Sequence, residues 1–184
     1  MAQPDTPRSG PRVFFAIWPD DGASRALDAL AQRVARDAQG RATPSERLHL
    51  TVAFLGNVPT VAVEPLIALG RTIAGRAPRF TLTLDRVGAF RDAGIAWVGA
   101  SVPPTALLSL ASELKLALGS AGFRIDERNF KAHVTLARRC ERRPRVADPP
   151  VISWPVEAMS LMASELGSHG PRYDELAKCP LAPA

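Results

Sequence analysis

The sequence predicts an α+β fold of two pseudo-symmetric lobes, each an antiparallel sheet with helices on its outer face, around a central cleft. Three observations predict it. Short apolar runs alternate with helix-period segments in two rounds, roughly residues 12–90 and 95–178. The strand-like runs alternate apolar with polar residues and carry a hairpin signal, which favours antiparallel pairing over a doubly wound parallel sheet. A five-residue word also occurs twice, 84 residues apart. A chain of 184 residues suits one domain of ordinary size. Residues 1–11 read as a polar, proline-containing tail and 12–184 as a single bilobal domain.

The elements follow in order. Arg12 to Trp18, RVFFAIW, is β-branched and aromatic and reads as a buried strand. Pro19 ends it, and Asp20 or Asp21 can cap the helix whose face repeats Leu27, Leu30, Ala31 and Val34. Leu48 to Leu55 is a second strand, closed by Gly56-Asn57. A helix covers about Val61 to Ala74, with Pro65 tolerable only in its first turn. Phe80 to Leu84 alternates apolar with polar and is a strand, as is Ile95 to Ser101. Asp92-Ala93-Gly94 turns between them, so the two are expected to form a hairpin. After Pro103-Pro104 a helix presents Leu107, Leu110, Ala111, Leu114 and Leu118 on one face, with Gly119 as its stop. Ala132 to Arg138 is a strand, Val156 to Leu166 another, and a short final strand lies near Tyr173 to Leu176.

Two of the three histidines sit in the repeated word: His49-Leu50-Thr51-Val52-Ala53 and His133-Val134-Thr135-Leu136-Ala137. With nine threonines in the chain, two His-x-Thr matches arise by chance at roughly the 1% level. The two words are therefore an internal repeat. In a strand, residues i and i+2 share a face. His49 and Thr51 then point one way while Leu48, Leu50, Val52 and Phe54 form core, and His133 and Thr135 repeat this over Val134 and Leu136. Imidazole gives or takes a proton near neutral pH. Two imidazoles on opposite sides of one phosphorus supply a base to activate water and an acid for the leaving oxygen. Two threonine hydroxyls can hold the non-bridging oxygens. Structural histidines in related strands are the competing explanation, and the repetition weighs against it.

Composition narrows the setting. The net charge is +5, and 20 of the 23 basic residues are arginine. An arginine-rich surface suits phosphate, and a genome favouring Arg and Ala codons explains it as well. A basic run follows the second motif, Arg138, Arg139, Arg142, Arg143 and Arg145, and reads either as an RNA-facing loop, favoured because it leaves that motif directly, or as a solvated connection. No run approaches the ~20 apolar residues of a membrane span. Cys140 and Cys179 are too few for a disulfide framework, so a reduced, cytoplasmic protein is expected. Neither they nor the histidines have zinc-ligand spacing, and no metal or cofactor is expected. His169 reads as a solvated loop residue. Trp18, Trp97 and Trp154 are expected in the core.

HLTVAFLG at 49–56 and HVTLAR at 133–138 resemble the paired signatures of the 2H phosphoesterase superfamily. RVFFAIWPD at 12–20, Ser164-Glu165-Leu166 and Gly170-Pro171-Arg172-Tyr173 are similar to flanking words of one branch, the RNA 2′,3′-cyclic phosphodiesterases once called 2′-5′ RNA ligases. The resemblance covers residues 12 to about 178. It departs from that pattern mildly at Val52 and Ala132. It implies that His49 protonates the leaving ribose oxygen and His133 activates water. It implies that Thr51 and Thr135 hold phosphate oxygens, that Arg138 contacts the phosphate and that Phe54 lies near the terminal nucleotide. The implied substrate is RNA with a 2′,3′-cyclic phosphate end, acted on by a monomer, and the product a 2′-phosphomonoester. A different small cyclic phosphate, or a non-catalytic RNA- or nucleotide-binding role, are the alternatives. Strict alternation puts Arg138 opposite His133, so it reaches a phosphate only where its strand bends or ends.

Overall fold

A computed structural model describes residues 10–125, 129–146, 148–167 and 170–183. Most of the expected N-terminal tail, and the His169 loop position, lie outside the described residues. The chain runs β1 (Arg12–Ile17), α1 (Asp21–Ala38), β2 (Arg41–Ala42), β3 (Leu50–Asn57), α2 (Val63–Ala74), β4 (Phe80–Leu84), β5 (Arg86–Phe90), β6 (Ile95–Gly99), α3 (Thr105–Ser120), β7 (His133–Arg138), β8 (Ile152–Val156), β9 (Ala158–Gly167) and β10 (Gly170–Pro180). One eight-stranded sheet has the order β10-β9-β1-β3-β7-β6-β5, with β2 also on β7. Every pairing in it is antiparallel. Among the described residues, β3 and β7, which join its two halves, pair only at Leu50 and Val134.

Local chemistry explains the ends. The Asp20 carboxylate caps α1 by accepting from the Ala23 N–H at 2.7 Å. Pro65 falls in the first turn of α2, where its missing N–H costs nothing. The buried stripe of α3 is Leu107, Leu110, Ala111, Leu114 and Leu118, as its periodicity requires. That helix runs past Gly119 to Ser120, and the left-handed residue beyond it is Gly122, at φ 85°. Behind the sheet the core includes Phe15, Ile17, Leu27, Leu50, Leu107, Val134 and Trp154.

Pairing departs from the sequence expectation in one respect. Phe80–Leu84 does not form a hairpin with the Ile95 strand. It pairs with β8 as a separate two-stranded sheet, and the hairpin partner of β6 is β5. The unforeseen strands β5 and β8 carry residues that weaken a strand signal, Gly88 in β5 and Pro155 in β8. The C-terminal strands are longer than expected, and β9 and β10 extend the first motif's half of the sheet beside β1. The two lobes thus exchange strands, and the two rounds of sequence do not map onto them one to one.

Two glycines give opposite expectations for one substitution. A Cβ on Gly70 in α2 would lie 2.6 Å from Phe15 Cε1 and 3.2 Å from Cys179 Sγ, both in fully buried side chains. A Cβ on Gly119 in α3 meets nothing within 4 Å. Gly70→Ala should therefore lower stability by about 1–2 kcal/mol, because overpacking exceeds the helix-propensity gain. Gly119→Ala should raise stability by about 0.5–1 kcal/mol. Urea unfolding of both variants checks this, and the same sign for both would contradict the packing described.

Candidate active site

The repeated word is placed by a repeated irregularity. Along β3, Phe15 pairs with Ala53 and Ala16 with Thr51, so Val52 is an extra residue with no partner on β1. Along β7, Ala96 pairs with Ala137 and Trp97 with Thr135, so Leu136 is the extra residue. Each is a β-bulge three residues after its histidine. Val52 and Ala53 both turn inward, as do Leu136 and Ala137. The next residue then returns to the face of the histidine. This brings Arg138 onto the face of His133 and Thr135, which strict alternation denied it. It also corrects the expectation that Phe54 belongs to the core face, for Phe54 is 44% exposed. Phe54 and Arg138 are equivalent positions of the repeat, five residues after their histidines.

The structure brings all six candidate residues together. His49, Thr51, Phe54, His133, Thr135 and Arg138 line one cleft of about 850 Å³. Behind it Leu50, Val52, Val134 and Leu136 are buried. The two imidazoles are oriented alike. His49 Nδ1–H donates to the Arg47 carbonyl at 2.7 Å, and His133 Nδ1–H donates to the Lys131 carbonyl at 2.7 Å. Each acceptor lies two residues before its histidine. With Nδ1 committed, Nε2 is the reactive nitrogen of each ring. His49 Nε2 lies 3.1 Å from Thr51 Oγ1, close enough for the hydroxyl to donate to it.

The histidines sit in aromatic walls. Phe14, Trp18 and Tyr173 have ring centroids 5.3, 4.9 and 5.2 Å from His49. Phe90 and Trp97 stand 5.2 and 6.3 Å from His133. Desolvation by these neighbours is the main cause that lowers the His49 pKa to about 4. The hydrogen bond to Arg47 opposes it, while the charge of Arg138 and the proximity of His133 add to it. His133 is lowered by the same means, burial first, with the Lys131 carbonyl opposing and Arg138 and Lys131 adding. Both rings are therefore neutral near pH 7 in the protein alone, and an anion between them would favour their protonation.

Sequence reasoning missed these walls. Trp18 and Trp97 were expected in the core, and only Trp154 is fully buried. Tyr173 arrives from the far end of the chain, through the pairing of β10 with β9 and of β9 with β1. The basic run divides: Arg138 and Arg139 line the cleft, while the Arg142 guanidinium donates to the Asp37 carbonyl at the end of α1, and the Arg145 N–H to the Asp37 carboxylate. Among the described residues no group of three or more His, Cys, Asp or Glu side chains is placed to hold a metal. No helix among them is long and apolar enough to cross a membrane.

A family model described as LigT-like phosphoesterase matches the chain twice, at residues 17–97 and 98–173, one copy for each motif. An RNA 2′,3′-cyclic phosphodiesterase of Thermus thermophilus is 36% identical over 178 residues, which is 91% of this chain and 88% of that protein. Its namesake in Escherichia coli is 33% identical, covering 91% and 94%. The crystal structure of E. coli LigT complexed with 3′-AMP superposes with a TM-score of 0.85 at 31% identity, covering 93% of this chain and 98% of that one.

The lowered His49 pKa has a consequence for stability. Between pH 6.5 and about 4 the unfolded chain binds a proton at this position that the folded chain refuses. Stability therefore rises with pH across that window and falls as the pH is lowered, by up to about 3 kcal/mol from this group. Urea unfolding at pH 7.5 and 4.5 should show a smaller loss in His49→Gln than in the wild type. Equal losses would mean that the ring is not desolvated as described.

Proposed function

This chain belongs to the LigT-like phosphoesterase family, and from that premise we propose that it is an RNA 2′,3′-cyclic phosphodiesterase, which opens the cyclic phosphate by acid–base catalysis between His49 and His133 and leaves a 2′-phosphomonoester. The observation that carries this is the pair of Nδ1-anchored imidazoles, from two copies of one motif, lining a single cleft.

His133 Nε2 takes a proton from water as the water oxygen bonds to phosphorus. The P–O3′ bond breaks, and His49 Nε2–H gives its proton to the departing O3′. Net, one water is consumed, and the two histidines exchange protonation states until solvent restores them. Thr51, Thr135 and Arg138 face the non-bridging oxygens, where negative charge accumulates in the transition state. Phe54, whose ring carries the Arg12 guanidinium 4.8 Å from its centroid, borders the terminal nucleotide. The proton on His49 is taken up on binding, because the cyclic phosphate brings a negative charge beside the ring. The pair needs no metal for these steps, so activity should survive a chelator. We place the protein in the cytoplasm as a monomer, where Cys140 and Cys179, both unpaired, stay reduced.

Removing either histidine should be far more damaging than removing a positioning group. His49→Ala and His133→Ala should each lose about 10²–10⁴-fold in kcat/KM on an oligonucleotide ending in a 2′,3′-cyclic phosphate. Near-wild-type turnover by either folded variant would refute the assignment. Because both histidines are shifted below 6.5 in the free protein, the bell in kcat/KM should peak on the acid side of that value. A profile flat across neutral pH, or one peaking in alkali, would contradict paired imidazoles with these environments.

A further inference from the structure

The duplicated fold makes the two ends of the cleft equivalent in backbone, but the side chains make one mostly apolar and the other rich in guanidinium. β3 and β7 run antiparallel from the Leu50–Val134 pair, so Phe54 and Arg138 stand at opposite ends. At the first end Phe14, Phe54, Leu166 and Pro171 present apolar surface, with a single guanidinium, that of Arg12, over the Phe54 ring. At the second end are three guanidiniums. Arg41 on β2 pairs directly opposite Arg138 on β7, which puts their Cβ atoms ~5 Å apart on one face. Arg139 follows with φ 55°, a left-handed backbone uncommon outside glycine. It is held there by Cys140 N–H donating to the Gly94 carbonyl at 2.9 Å and Glu141 N–H to the Ala38 carbonyl at 3.1 Å. Arg41, Arg138 and Arg139 all line the cleft.

Like charges placed directly across two strands repel. Among the described residues none of these three side chains has an ion-pair or hydrogen-bond partner. One phosphate, at the histidines, occupies Arg138 and leaves Arg41 and Arg139 uncompensated. Resting on the hydrolytic reading above, we infer that Arg41 and Arg139 form a second phosphate subsite, which receives the phosphate on the 5′ side of the terminal nucleotide. The cleft then reads two successive phosphates: the cyclic one between the histidines and the internucleotide one at the arginine end. The terminal base is left toward the apolar end. The preferred substrate is accordingly a chain, not a cyclic mononucleotide.

The test compares four substrates with the wild-type protein: a cyclic mononucleotide, its 5′-phosphorylated form, a dinucleotide with a cyclic phosphate end, and that dinucleotide with an uncharged methylphosphonate linkage. The charged dinucleotide should exceed its neutral counterpart roughly 10- to 100-fold in kcat/KM. In Arg41→Ala/Arg139→Ala that ratio should collapse toward one. A gain by the 5′-phosphorylated mononucleotide as large as that of the dinucleotide would assign the same subsite to a small nucleotide's phosphate. A smaller gain supports the RNA chain. Equal rates for charged and neutral linkages in the wild type, or a ratio unchanged in the double variant, would overturn the subsite while the hydrolytic reading stands. Failure of the wild type to turn over any of the four would overturn both.

Discussion

Leu50 and Val134 are both fully buried and face one another in the backbone pair that joins the two halves of the sheet. Much of the site follows from this contact. Because the strands are antiparallel, extending its register by one residue sets His49 across from Thr135 and Thr51 across from His133. Because both paired residues point into the core, all four polar side chains point out of it. A slip of one residue in either strand would bury its histidine and expose its aliphatic neighbours. The hydrophobic cost of that exchange fixes the register, so the core determines where the two imidazoles stand.

The bulges at Val52 and Leu136 extend the same logic. A flat strand would have sent Phe54 and Arg138 into the core, where a guanidinium has no place. One inserted residue in each strand reverses their direction. The site is thus made of two copies of an eight-residue device: an accepting carbonyl at position −2, the histidine, the threonine at +2, a bulge at +3 and a selectable side chain at +5. Duplication supplies the symmetry that in-line chemistry needs at phosphorus. Divergence at +5, phenylalanine in one copy and arginine in the other, supplies the direction.

How much of this could be read in the sequence depended on how local the cause was. His49, Thr51, His133 and Thr135 were legible because one strand's period and one repeated word define them. So were the Asp20 cap and the α3 stripe. Arg138 and Phe54 came from resemblance alone, since a bulge appears in the pairing and not in a strand's own pattern: Val-Ala and Leu-Ala read as ordinary alternation. The aromatic walls were out of reach for a related reason. Phe14 and Trp18 meet His49 through the pairing of β1 with β3, and Tyr173 only because β9 and β10 return to β1, where Asp174, Glu175 and Lys178 let the sequence show only a short part of β10. Arg41 was invisible because its strand is two residues long.

Burial gives the histidines their distinctive condition. Each is anchored by a neutral carbonyl instead of a carboxylate, so its hydrogen bond offsets only part of the desolvation that keeps the ring unprotonated, and Arg138 adds repulsion. Such a cleft waits for an anion. The central claim is that both imidazoles act on the same one. The most direct measurement is an NMR titration of the His49 and His133 ring resonances, in the free protein and with saturating inorganic phosphate. Both pKa values should lie below 6.5 in the free protein, and both should rise together on binding with a single dissociation constant. A rise at one histidine alone, or two distinct affinities, would show that they do not share a phosphate.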